Sequence, residues 1–331
     1  MKKIHILFCG GTITMRKDSN GQLLPHYSGD DILKKIPQLD TIATISFENI
    51  TNIDSSNMTP DVWKAIALTV EKKYELYDGF VIVHGTDTMA YTASALSFAI
   101  QNLDKPIVLT GAQKAIDDIP SDALNNLTNA IKVATMDVYE VMIVFGTLIL
   151  RGNRATKISE SSLNAFESPL TMPLGEVSLE PVFDKTHTKQ KKAGRSLVVK
   201  AEFDPNIAVI AVHPGFNPAI ILNALISNCH GLIVEAFGAG NIPDMLVETL
   251  TKAKNLEVPI VVLSQCHKGI TRMHIYKVGY QALKAGVIPG RDMTVEAAST
   301  KLMWALSQTK NMNEIKKIMQ KNSVGELSTY E

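Results

Sequence analysis

Only three of the 331 residues are cysteine, namely Cys9, Cys229 and Cys266. Three thiols cannot all pair, and their scarcity suits a reducing compartment. An excess of one charge is also missing, because 33 basic and 33 acidic side chains cancel. A neutral chain gains little non-specific affinity for a phosphate backbone, which argues against a general nucleic-acid binder. No apolar run approaches the roughly 18 residues of a membrane helix. The strongest, residues 141–145 and 207–212, have strand length. Lys2-Lys3 precedes an apolar stretch that ends at Cys9 and runs into Gly10-Gly11-Thr12. That stretch is too short for a signal peptide and lacks a small-residue cleavage site. The expectation is a cytoplasmic protein with no membrane or nucleic-acid partner.

Several chemical signatures are absent as well. The first loop is not G-x-G-x-x-G and no G-x-x-x-x-G-K-[ST] occurs, so dinucleotide and P-loop chemistry have no anchor. There is no G-x-S-x-G elbow. Without H-E-x-x-H or paired Cys-x-x-Cys, zinc is not expected. Cys229-His230 and Cys266-His267 are adjacent pairs whose side chains diverge, so buried thiols are expected there.

Apolar residues make up 45% of the chain and charged residues 20%, which is ordinary globular composition. At roughly 100–200 residues per domain, one large domain or two are expected. Short β-branched runs at residues 4–8, 45–48, 80–83, 107–109, 141–145, 207–212, 232–234 and 260–263 read as strands. Most are continuously apolar, as strands covered on both faces of a parallel sheet are. Helix signals lie between them. Thr59-Pro60-Asp61 offers a capping hydroxyl, a proline at the first helical position and an early acid, before a helix reaching about Tyr77. Ser121-Asp122 opens a second helix with Leu124, Leu127, Ile131 and Ala134 on one face. Asn217-Pro218 opens a third through Leu222 and Leu225.

This alternation predicts an α/β fold. A larger N-terminal domain (1–185) has a mainly parallel sheet flanked by helices, and a smaller C-terminal α/β domain (207–331) follows a linker at 186–206. The polar, basic stretch from Asp184 to Arg195 reads as an exposed loop leading into that linker rather than a nucleic-acid patch.

In open α/β sheets, ligands bind beyond the carboxyl ends of the strands. Three polar clusters fall there: Cys9-Gly10-Gly11-Thr12-Ile13-Thr14, Asp54-Ser55-Ser56-Asn57 and His84-Gly85-Thr86-Asp87-Thr88. Small residues admit a ligand close to the backbone, and hydroxyls beside free N–H groups hold a carboxylate or an oxyanion. Each cluster alone is ordinary turn chemistry, and Thr86-Asp87 alone could be a helix cap. Three at equivalent strand ends should converge on one pocket, with His84 and His213 flanking it. A basic loop, Arg151-Gly152-Asn153-Arg154-Ala155-Thr156-Lys157, could project a lysine beside Asp87 to stabilise charge or activate a hydroxyl.

Taken together, these segments resemble the L-asparaginase family, most closely its cytoplasmic bacterial type I branch. Met58 after the second cluster, Met89-Ala90-Tyr91-Thr92-Ala93 after the third and Thr110-Gly111-Ala112-Gln113 extend the match. So do Gly238-Ala239-Gly240-Asn241 and Met293-Thr294-Val295-Glu296-Ala297. The resemblance implies hydrolysis of L-asparagine to L-aspartate and ammonia through a covalent acyl-enzyme, with no cofactor or metal. It makes Thr12 the nucleophile and Thr86, Asp87 and Lys157 the second catalytic group. Asp87 also suits the substrate α-ammonium, and Ser55 and Ser56 its α-carboxylate. Backbone N–H groups near Thr86 and the carbonyl of Ala112 surround the amide, while Gly11, Asp54 and Gly85 complete the binding set. A homodimer or homotetramer is implied, in which Asn241 reaches a neighbouring subunit's site.

Two departures stand out. Family members carry a tyrosine on a mobile loop after the first strand, often just after a glycine. Here Gly21 is followed by Gln22-Leu23-Leu24-Pro25, and the nearest tyrosine is Tyr27. Either Tyr27 supplies the phenol from a shifted register or that function is absent. Residues 16–28 still have the turn-rich polarity of a lid. Second, Glu235 stands near the position of an arginine in an effector pocket of some relatives. Acid in place of base disfavours a ligand carboxylate, so that regulation is not expected, although Asn241, Ser264 and Cys266 remain candidates for it. The alternatives are a glutaminase-asparaginase, the amide-hydrolysing partner of a tRNA amidotransferase, and a catalytically silent amino-acid binder. Amidotransferase subunits usually carry an extra N-terminal domain, and this sequence opens directly on its first strand, which disfavours that variant.

Overall fold

The computed structural model describes residues 1–189 and 194–328, and the chain divides into two compact units, Met1–Ala201 and Glu202–Glu331. The first unit is built on an eight-stranded sheet. Across it the strands run Pro181–Phe183, Gly175–Val177, Leu148–Arg151, Val141–Phe145, Ile107–Thr110, Gly79–Val83, Lys3–Gly10 and Thr44–Ile53. The five strands from Val141–Phe145 to Thr44–Ile53 are parallel. The other three add as antiparallel strands. Gly79–Val83, Ile107–Thr110 and Val141–Phe145 are buried at every position, which is why their sequences are unbroken apolar runs. From the Lys3–Gly10 strand, next to the sheet edge, the chain moves to one side for Thr44–Ile53, then crosses to the other for Gly79–Val83. In open α/β sheets ligands bind at such a reversal, which here falls at the carboxyl end of Lys3–Gly10.

The helices form for local reasons, with two corrections to the sequence reading. Pro60–Lys73 begins at its proline and buries Trp63, Ile66, Ala67 and Val70, one stripe at helical spacing. The Thr59 hydroxyl makes no capping bond, so proline and the early Asp61 mark the start. Ala123–Ala134 buries Ala123, Leu127, Ala130, Ile131 and Ala134. Leu124 is exposed, because Ala123, one position earlier, takes the sheet-facing place.

The expected basic loop is partly fastened down. Glu140, fully buried, receives Arg151 Nε at 2.5 Å, Arg151 Nη2 at 3.0 Å and the Lys189 amide at 2.8 Å. Arg151 also donates to the His187 carbonyl at 2.6 Å. Residues 190–193 of that stretch lie outside the described residues. Val198–Val199, inside the expected linker, pairs with Ile100–Gln101 of the first unit.

The second unit has a four-stranded parallel sheet, Ile207–Ala211, Gly231–Ala236, Ile260–Ser264 and Ile288–Pro289 in that order. Ile207–Ala211 is an edge strand and only half-buried, unlike the strands the apolar pattern suggested. Ala219–Ile226 buries Ile221 and Leu225, with Leu222 at the margin of the core. Cys229 is partly exposed and Cys266 exposed, against the expectation of buried thiols; only Cys9 is buried. Each lies beyond the apolar strand beside it, where packing no longer encloses the side chain. Among the described residues, no helix is long and apolar enough to cross a membrane.

Helix Val295–Gln308 buries Lys301 completely against an equally buried Glu326. Lys301 Nζ donates to Glu326 at 2.5 Å and to the carbonyls of Met319 and Lys321 at 3.1 and 2.6 Å. Lys301→Met should therefore lower the unfolding free energy by about 3–5 kcal/mol, since it strands a buried carboxylate. Denaturant titration checks this, and a cost close to zero would mean that water reaches the pair.

Candidate active site

The three hydroxyl-rich loops do converge. Gly10 and Gly11 have φ of 99° and 88°, a region that favours glycine, and they turn the chain out of the first strand into the 3₁₀ turn Thr12–Thr14. A β-carbon on Gly11 would lie 2.4 Å from Gly85 Cα, and one on Gly85 would lie 2.6 Å from Ser55 Oγ. The missing side chains at Gly11 and Gly85 are what let the Thr12, Ser55 and Thr86 loops touch. Thr14 Oγ1 steadies the first loop, its one hydrogen shared between the Gly11 carbonyl at 2.9 Å and Asn52 Oδ1 at 3.0 Å. Thr88 Oγ1 ties the second loop to the third by donating to the Ser55 carbonyl at 2.8 Å.

Ser55 is buried and Ser56 exposed. Asp54 Oδ1 accepts both the Ser56 amide at 2.8 Å and its hydroxyl at 2.7 Å. Those two bonds hold the Asp54 carboxyl below the usual carboxylate range.

Thr86 is buried and Asp87 exposed. Lys157 arrives from the strand Thr156–Lys157, directly after the basic loop, and its Nζ donates to Thr86 Oγ1 at 2.8 Å and to Asp87 Oδ1 at 2.6 Å. The helix Met89–Ala99 starts beyond them with Thr88 at its cap position, so Thr86 and Asp87 are not its cap.

His84, expected at the flank of the site, is fully buried beneath it. Its Nδ1 lies 2.7 Å from the Gly85 carbonyl, an acceptor only, so Nδ1 carries the hydrogen. Nε2 then accepts from Thr92 Oγ1 at 2.8 Å, which itself accepts from Trp63 Nε1 at 2.9 Å. Burial lowers the His84 pKa from 6.5 to about 4. The neutral ring thus contributes its full stability above pH 6.5, and that contribution is lost as pH falls toward 4. The loss amounts to about 3 kcal/mol. Urea titrations across this range should show the wild type losing about 3 kcal/mol more than His84→Asn, since the similarly depressed His5 titrates in both; equal losses would sink the assignment. His213 lies in the second unit and is exposed.

Gln113 was not singled out from the sequence as a site residue, although its segment was. Thr86 Oγ1 donates to Gln113 Oε1 at 3.1 Å. The available signal was position: Thr110-Gly111-Ala112-Gln113 leaves a parallel strand at the same sheet edge, and Ala112 is buried there. Asp122 does stand at the start of the helix Ala123–Ala134, but its carboxylate, rather than capping that helix, accepts the backbone amides of Gln113 and Lys114 at 3.0 Å each and fixes that turn.

Tyr27 packs beside the first loop, its amide donating to the Thr14 carbonyl at 2.8 Å. Its phenol donates to Asp117, which also pairs with Lys35 at 2.8 Å. The Asp117 bond pushes the phenol pKa up. The expected lid contains a real hairpin, Met15–Lys17 paired with Leu23–Pro25. Asn241 belongs to the second unit. Its backbone pairs with Phe237, and its buried Oδ1 has no hydrogen-bond partner among the described residues. Burial raises the Glu235 carboxyl in the same unit.

Fold and site together define an α/β protein with a hydroxyl-, lysine- and carboxylate-lined site at the switch point of a parallel sheet. Residues 3–190 match the family model described as Asparaginase, N-terminal, and residues 206–319 the Glutaminase/Asparaginase C-terminal domain. The chain belongs to the asparaginase family. It is 37% identical to L-asparaginase 1 of Escherichia coli, covering 99% of this chain and 98% of that one. It is 38% identical to a glutamyl-tRNA(Gln) amidotransferase component of Methanosphaera stadtmanae, over 99% of this chain and 77% of the relative. The solved thermostable L-asparaginase from Thermococcus kodakarensis superposes with a TM-score of 0.91 at 37% identity, over 99% of this chain and 100% of that one.

Proposed function

We propose that this protein hydrolyses L-asparagine to L-aspartate and ammonia through a threonine acyl-enzyme. The observation that carries the reading is the closed Lys157–Thr86–Asp87 cluster beside a loop that presents Thr12. Thr12 Oγ1 attacks the side-chain amide carbon, forming the C–O bond while its proton moves to the departing nitrogen. The C–N bond breaks and ammonia leaves. Water then attacks the ester, the C–O bond to Thr12 breaks, and the proton returns to the threonine.

A threonine hydroxyl is a weak nucleophile unless its proton is accepted, help worth roughly 10²–10⁴-fold. Each oxyanion donor, here backbone N–H groups near Thr86, adds about 10²–10³-fold. Ser55 and Ser56, with Gly11 and Gly85 leaving room, hold the α-carboxylate. Asp54 fixes Ser56, Asp87 meets the α-ammonium, and the Ala112 carbonyl accepts from the amide nitrogen. Tyr27 closes the lid over the substrate. The protein works in the cytoplasm as a homodimer or homotetramer, with Asn241 directed to a neighbour's site, and uses no cofactor.

The test is ammonia release by purified protein from L-asparagine and L-glutamine separately, from micromolar to millimolar substrate. Release from asparagine with little from glutamine is the expected result. Comparable rates would make it a broader amidase, since one methylene is worth only about 1–3 kcal/mol in a pocket. No release by a folded oligomer would overturn the reading and favour the amidotransferase partner or a silent binder.

A further inference from the structure

We infer that Gln113 is a positioning residue that sets the direction of the Thr86 O–H bond; the inference rests on the catalytic reading above. The Gln113 amide spans three groups. Its Nε2 donates to the Ser162 carbonyl at 3.1 Å and to the Ser159 carbonyl at 3.3 Å, and its Oε1 faces Thr86 Oγ1 at 3.1 Å. Both serine partners are backbone carbonyls, which only accept. The amide therefore has one usable orientation, since a flip would set Oε1 against two carbonyl oxygens and leave three acceptors facing one another.

With Oε1 fixed toward Thr86, the hydroxyl has one choice. Gln113 Oε1 cannot donate, so Thr86 gives its hydrogen to Gln113. Lys157 Nζ, a donor only, occupies one of the two Thr86 lone pairs. One lone pair remains, and Thr86 meets the reacting groups as a hydrogen-bond acceptor, the polarity needed to steady a proton leaving Thr12 or the attacking water. Without Gln113 the hydroxyl could rotate and present its hydrogen instead.

The support beneath Gln113 is rigid. The buried Asp122 carboxylate takes the Gln113 and Lys114 amides at 3.0 Å each. Asn126, also buried, links Asp122 Oδ2 and the Gly111 carbonyl, at 3.0 Å each, to the Gly146 amide at 3.1 Å. Ser159 and Ser162, by contrast, belong to a surface segment. The orientation of a buried catalytic hydroxyl is thus held by carbonyls at the protein surface.

The experiment measures kcat and KM for asparagine in the full-length wild type, Gln113→Met and Gln113→Glu, with melting temperatures alongside. Gln113→Met keeps the length and packing but removes the amide. We expect kcat to fall about 10- to 100-fold with KM nearly unchanged, because only a transition-state interaction is lost. Should Gln113→Met fail to fold, Gln113→Glu carries the test. A carboxylate cannot donate to the two carbonyls and rotates away from them, so its kcat falls as well. Wild-type kcat in either folded variant overturns the inference and leaves the catalytic reading standing. A joint change of kcat, KM and melting temperature also overturns it, by showing a packing role. An inert wild type overturns both.

Discussion

Thr12→Ala protein is expected to release ammonia from asparagine about 10⁴-fold more slowly than wild type or worse, with its fold and asparagine binding nearly intact. Alanine cannot form the acyl bond, so the loss falls on kcat. Thr12 is half-buried, and the turn around it is held by Thr14 through the Gly11 carbonyl and Asn52 rather than by the Thr12 side chain. Removing one hydroxyl and one methyl at the rim of the core should leave the melting temperature almost where it was. Stopped ammonia assays with calorimetric titration of asparagine separate the two effects. Substantial turnover by Thr12→Ala would remove it as nucleophile and make Thr86 the first suspect.

Lys157→Met is expected to cost about 10²–10⁴-fold in kcat, the range of general acid–base assistance. Lys157 is the donor that joins Thr86 to Asp87, so methionine unlinks the pair while filling most of the same space. Asp87 is exposed, and its carboxylate returns to water at little cost in stability, unlike the buried Glu326 left by Lys301→Met. On the proposed reading Asp87 keeps its carboxylate for the substrate α-ammonium after Lys157 is removed, so KM should change less than kcat. If Lys157→Met turned over at the wild-type rate, the lysine would be a structural tether only.

The two lysines show what residue type alone conceals. Lys157 ends the basic loop in the two-residue strand Thr156–Lys157, and its residue type alone did not say whether it would point to Asp87 or to water. Lys301 was not singled out in the sequence, yet it is buried in a helix against a glutamate 25 residues further on. The cysteine-histidine pairs misled in the opposite direction: adjacent side chains that diverge argued against a metal site and left buried thiols as the expectation, but Cys229 is partly exposed and Cys266 exposed.

The alternation of buried strands and helices was legible in the residues alone, because continuous apolar runs and helix starts such as Pro60-Asp61 are local signals. So was the collection of hydroxyls and glycines at strand ends, since a parallel sheet brings those ends side by side. Which side chains meet there is set by the folded arrangement of the strands. Lys157 reaches Thr86 across 71 positions and Gln113 reaches it across 27. Neither meeting follows from residue type or spacing, because each depends on strand order. An antiparallel hairpin, Val141–Phe145 with Leu148–Arg151, turns the chain back before Lys157. The strand Ile107–Thr110, packed beside Gly79–Val83, sets Gln113 opposite the Thr86 hydroxyl. The direction of a single O–H bond is decided by three distant segments at once, and that is information only the folded chain contains.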